Sequence, residues 1–129
     1  MSMISFNKSN DPHPPEEVRI NSDGVLYAEA TQPDQVGKTV LYLQGEAEKG
    51  VFLTDAITVV VDKLGGGLMP MTRHYLAGPP AAGASIVFVA PSKVSYARPG
   101  TPGAMIGFWV IRFIDGSDVR VLGPLPAGL

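Results

Sequence analysis

Residues 106–122 read IGFWVIRFIDGSDVRVL, two strand-like runs on either side of Asp115-Gly116. An Asp-Gly pair between apolar runs is a strong short-range cue for a β-hairpin, because glycine supplies the positive φ that tight hairpin turns need. The first run is apolar at nearly every position. Side chains alternate across a strand, so Phe108, Val110 and Ile114 share one face and Trp109, Ile111 and Phe113 the other. Such a strand must be covered on both sides, by layers of its own domain, a partner or a ligand.

The rest of the chain repeats this grammar. Short β-prone runs recur between Gly/Pro turns: 18–30 reads as a hairpin about Ser22-Asp23-Gly24, and 39–44, 51–53, 68–76, 85–90 and 94–98 read as further strands. Pro70 inside the run 68–76 makes it an edge strand, or one that begins after the proline. Gly65-Gly66-Gly67 reads as a turn, since it leads into Leu68-Met69-Pro70 and matches neither phosphate-binding glycine pattern. Segment 54–64 fits two patterns. As a helix it has Thr54 as N-cap, a stripe of Ile57, Val60, Val61 and Leu64, and Gly65 past its end. As a strand it has the β-branched run 57–61, and three successive valines favour that reading through their restricted χ1.

These elements imply an all-β fold: an antiparallel sandwich or small β-barrel of about eight short strands. The alternative is α+β with one helix at 54–64. The 129 residues form one domain, large enough to bury about two-thirds of the unfolded surface. Residues 1–17, with Pro12, Pro14 and Pro15, read as an extended or disordered arm, residues 18–123 as the β domain, and 124–129 as an irregular tail.

Composition narrows the function classes. Charged residues make up 17% of the chain and hydrophobic ones 45%. That is a thinly charged surface beside the roughly 25% of an ordinary soluble domain, and it points to surface hidden by self-association. Ten basic and twelve acidic residues are scattered, giving net −2, which argues against nucleic acid and against a polybasic membrane patch. No apolar stretch has the length of a membrane span, and the N-terminus lacks a signal-like core, so a cytoplasmic location is the default, with virion or extracellular settings left open. The absence of cysteine excludes disulfides and thiolate chemistry.

No catalytic vocabulary emerges, and no cofactor or metal motif. The two histidines, His13 and His74, lie in the arm and on the strand-like run, without metal-ligand spacing. Glu16-Glu17 and Glu46/Glu48 fall in solvated positions, and Asp115 and Asp118 serve the turn. Arg112 is the residue that most needs a reason, since a guanidinium cannot shed its charge when buried. It pairs with a carboxylate such as Asp55, Asp62 or Glu29, or sits at a subunit interface, or holds an anionic group inside a barrel beside Tyr27, Tyr42, Tyr75 or Tyr96.

Two functions fit. The first is a non-enzymatic structural or interaction module that self-associates or packs on another structural protein, of the kind that builds a virion shell, tube or decoration. The second is a small β-barrel binding an apolar small molecule with one polar group, and cyclising or isomerising it by shape and positioning. On that second reading Arg112, His74 and the four tyrosines would orient the ligand, with Trp109, Phe108, Met69 and Met71 lining the cavity.

Overall fold

The computed structural model describes residues 3–10, 12–31, 37–46, 49–73, 86–100, 108–122, 125–127 and 129. Ten strands and one helix follow in order: β1 (Met3–Asn10), β2 (His13–Asn21), β3 (Val25–Ala30), β4 (Thr39–Leu43), β5 (Val51–Leu53), α1 (Ile57–Lys63), β6 (Met69–Thr72), β7 (Ile86–Val89), β8 (Val94–Pro99), β9 (Phe108–Phe113) and β10 (Asp118–Leu122). All strand pairs are antiparallel, and the fold is the sandwich of the two architectures expected. A seven-stranded sheet runs β2-β1-β5-β4-β3-β7-β6, and a three-stranded sheet runs β10-β9-β8. The strands do not close into a barrel. The sheets meet at an antiparallel bridge between Arg73, just after β6, and Val121 of β10.

Within the described residues 108–122, the hairpin forms as its sequence demands. Gly116 takes φ +90°, and the Phe113 amide bonds the Ser117 carbonyl at 2.8 Å to close the loop. Trp109, Ile111 and Phe113 face the large sheet, whereas Phe108 and Val110 share the outer face with Arg112. Both faces of β9 are covered: Val110 is 3% exposed although it belongs to neither main core cluster. Ile114, expected on a strand face, instead sits in the turn and is exposed, because the chain reverses one residue earlier than the apolar run ends.

Two apolar clusters lie on opposite faces of the large sheet. Leu26, Tyr27, Met71, Val87 and Val89 pack against Ile111, Phe113, Val119 and Val121 of the small sheet. Phe6, Ile20, Val25, Ala28, Leu41 and Leu53 pack around Val60 of α1. The central strand β3 serves both, and a register shift between Val25 and Tyr27 lets the successive residues Leu26 and Tyr27 join the same cluster.

Segment 54–64 is a helix over Ile57–Lys63, not the favoured strand. Val60 is fully buried, with Ile57 and Leu64 packed beside it, and this burial outweighs the χ1 restriction of three valines. The cap is also displaced: Ala56 occupies the N-cap, while the Thr54 hydroxyl donates to the Asn7 carbonyl at 3.3 Å.

The proline-rich arm belongs to the sheet. Residues 3–10 are β1, paired along nearly its whole length with β2, and Phe6 is 1% exposed. One buried aromatic and a backbone ladder suffice to fix a segment whose composition reads as a tail. The expected hairpin at 18–30 does not form. Its strands exist, joined by a 3-10 turn at Ser22–Gly24, yet among the described residues β2 pairs with β1 alone while β3 lies between β4 and β7. The Asn21 side chain accepts a bond from the Asp23 amide at 2.9 Å, and that turn sends the chain from the sheet edge to its middle. Pro70 does mark an edge strand, as expected.

Candidate functional site

The most heavily buried charge among the described residues is Glu29, on β3 and 5% exposed. An isolated carboxylate there would cost several kcal/mol, so partners must converge on it. The Tyr42 hydroxyl donates to its Oε1 at 2.9 Å, and the Arg73 guanidinium forms an ion pair with the same oxygen. Tyr42 is brought there by register, opposite Tyr27 across β3 and β4. Their rings stack at 4.2 Å and 14°, and Phe113 of the small sheet lies near-parallel to Tyr27 at 5.5 Å. The Arg73 guanidinium carbon stands 5.9 Å from the Tyr27 ring centre. Because Arg73 also carries the backbone bridge to β10, this cluster clasps the two sheets where they meet.

Burial pushes the Tyr42 hydroxyl up to about 12, and the neighbouring Glu29 charge and hydrogen bond add to that, against Arg73. Burial raises Tyr27 well above the ordinary phenol range, Arg73 opposes the rise, and Tyr42 and Glu29 reinforce it. Burial would lower the Arg73 pKa, but Glu29 and the two tyrosines raise it further, so the net direction is up. Neutral tyrosines and a locked guanidinium are suited to holding structure. General acid–base catalysis calls for groups that titrate near working pH.

A second constellation lies on the opposite side of the small sheet. Register places Tyr96 and Asp118 on either side of Arg112, and Arg98 and Arg120 on either side of Val110. Arg112 pairs with Asp118 at 3.3 Å across the hairpin, with 35% of its side chain exposed. Its partner is therefore none of Asp55, Asp62 and Glu29, and Asp118 does more than serve the turn. Cross-strand register within one hairpin supplies the nearest carboxylate. The Arg112 Nε is buried and lacks a hydrogen-bond acceptor among the described residues. Phe108 lies under Gly100, where an added Cβ would stand 2.5 Å from the ring.

The residues expected around a ligand therefore separate. Tyr27, Tyr42, Met69, Met71 and Trp109 gather between the sheets. Arg112, Tyr96 and Phe108 lie on the far face of the small sheet. His74 and Tyr75 lie outside the described residues. Sequence reasoning treated Glu29 only as a partner for Arg112 and assigned Arg73 no role. Yet Glu29 carries the signal that singled out Arg112, a charge within an apolar strand run.

Among the described residues, no group of three His, Cys, Asp or Glu is placed to hold a metal ion, and no helix is long and apolar enough to cross a membrane. No protein-family model, no curated protein and no solved structure matches this chain.

Proposed function

We propose that this chain is a non-enzymatic structural or interaction module that self-associates or packs on a larger assembly, as a shell, tube or decoration subunit does. The observation that carries it is the open outer edge of each sheet. Among the described residues the two sheets end on β2, β6, β8 and β10; β6 and β10 are linked through the Arg73–Val121 bridge, whereas β2 and β8 have no strand on their outer side. Unpaired edges are templates for strand addition by another chain. The β2 edge is blunted by Pro14 and Pro15 and by Glu16, Glu17 and Arg19. The β8 edge is not: Ser95 and Tyr96 are exposed along it, and its proline stands at the far end. The Glu29–Arg73–Tyr42 cluster supports the same reading, because its charges are spent on one another.

Size-exclusion chromatography with light scattering tests this. The full chain is expected to elute as an oligomer or to form one with rising concentration. Ser95→Pro at the β8 edge, where the β8–β9 register skips a residue, is expected to shift it toward monomer with its fold intact. A chain that stays monomeric at high concentration rejects self-association.

The binder of an apolar molecule is the second reading. It draws on the stacked Tyr27–Tyr42 pair with Met69, Met71 and Trp109 nearby. It loses the barrel interior it was built on. Saturable quenching of Trp109 fluorescence by a hydrophobic probe would favour it over the first.

A further inference from the structure

We propose that the outer face of the three-stranded sheet binds single-stranded nucleic acid, gripping phosphates with arginine and stacking a base on Tyr96. This goes beyond the assembly reading and stands whether or not the chain self-associates. The meander of β8, β9 and β10 lines up arginines on one of its faces. Three of the chain's five arginines, Arg98, Arg112 and Arg120, fall on this one face. Register places a single carboxylate among them, Asp118, and it is engaged by Arg112. Arg98 and Arg120 have no ion-pair partner among the described residues. A basic face thus stands on a chain of net charge −2.

The arrangement is compact. Arg98 and Arg120 flank Val110 on neighbouring strands, and Arg112 is two residues further along β9. With strands about 4.8 Å apart and a rise of about 3.3 Å per residue, the three Cα positions fall within about 10 Å of one another. Val110 and Phe108 on the same face are closed off, at 3% and 8% exposed, so contact with a ligand falls to the longer side chains around them. Every basic residue on the face is arginine, although the chain also contains lysine. The guanidinium fork matches phosphate oxygens two at a time and stacks on planar rings, which the ammonium group does not do.

Tyr96 decides between kinds of polyanion. It is 48% exposed and sits directly across from Arg112. An exposed ring beside phosphate-binding arginines offers a stacking platform for an unpaired base, whereas a duplex hides its base faces. An acidic peptide would use the guanidiniums and leave the ring idle.

The test is fluorescence anisotropy with labelled oligouridylate and oligothymidylate on the full chain. At about 20 mM salt, wild-type protein is expected to bind in the micromolar range, with log affinity falling against log salt at a slope of about −1.4, from two phosphates held by Arg98 and Arg120 at about −0.7 each. Arg98→Ser with Arg120→Ser should weaken binding at least tenfold and flatten the slope by about 1.4. Arg98→Ser alone, at an exposed position, serves if the double variant fails to fold. Tyr96→Ala should weaken binding several-fold while leaving the slope unchanged. No binding at low salt overturns the proposal, as does equal binding by the arginine variants in a thermally stable fold. Competition by polyglutamate as strong as by oligouridylate also overturns it, in favour of an acidic protein partner.

Discussion

Two ion pairs in this protein look alike in sequence and differ in what they hold. Glu29 and Arg73 meet between the sheets, with side chains 6% and 24% exposed. Arg112 and Asp118 meet at the surface, at 35% and 34%. Removing Arg73 strands a buried carboxylate, so Arg73→Met should destabilise the fold by about 3 kcal/mol. Adding Glu29→Leu to it should recover most of that loss, because two apolar side chains leave no charge unpaired. Chemical denaturation of the two variants measures both values. Arg112→Met should cost no more than about 1 kcal/mol, since exposed pairs contribute little. The clasp tyrosines set the alkaline limit. Tyr42 is raised from 10.0 to about 12. A raised pKa favours the folded state fully below the unfolded value, so this contribution is intact below pH 10 and lost as pH climbs toward 12. A spectrophotometric titration should show Tyr27 and Tyr42 ionising only as the protein unfolds, and Tyr42→Phe should blunt the alkaline loss of stability.

Among the elements, α1 shows most clearly how packing overrules propensity. Val60 is fully buried and Val59 is 45% exposed on the same short helix. Val60→Ala should therefore cost about 2 kcal/mol through a cavity, and Val59→Ala should be neutral or slightly stabilising by helix propensity. Comparable thermal shifts for both would mean that the helix is not docked as described. The turn between β9 and β10 is tied to another element as well. The Asp115 carboxylate accepts bonds from the Gly45 amide at 2.7 Å and from the Ser117 hydroxyl at 2.6 Å. Slight burial would raise its pKa, but these hydrogen bonds hold it below the ordinary 3.8. A depressed pKa gives stability that is present at neutral pH and lost as pH falls through the folded value, below 3.8. Asp115→Asn should lower the melting temperature at pH 7 and flatten its fall in acid. Scanning calorimetry across the acid range reads both effects.

At the scale of the molecule, the proposed assembly rests on the outer strands β2 and β8, which have no strand on their outer side among the described residues and are unequal as edges. What the amino-acid sequence determined by itself is local. Asp115-Gly116 sets the hairpin, Pro70 keeps β6 at an edge, and alternation puts Trp109, Ile111 and Phe113 on one face of β9. Each depends on backbone geometry or side-chain direction within a few residues. Only the tertiary structure decided the rest. It drew β1 into the sheet by burying Phe6, made 57–63 a helix by burying Val60, and separated β2 from β3 despite the turn between them. It also chose the ion pair of Glu29 with Arg73, whereas Arg112 and Asp118 meet by register within the one hairpin. Which strands become neighbours is a long-range choice, made by the apolar surface buried when sheets and helix pack. Local residue patterns carry the period of each element and not its address in the sheet.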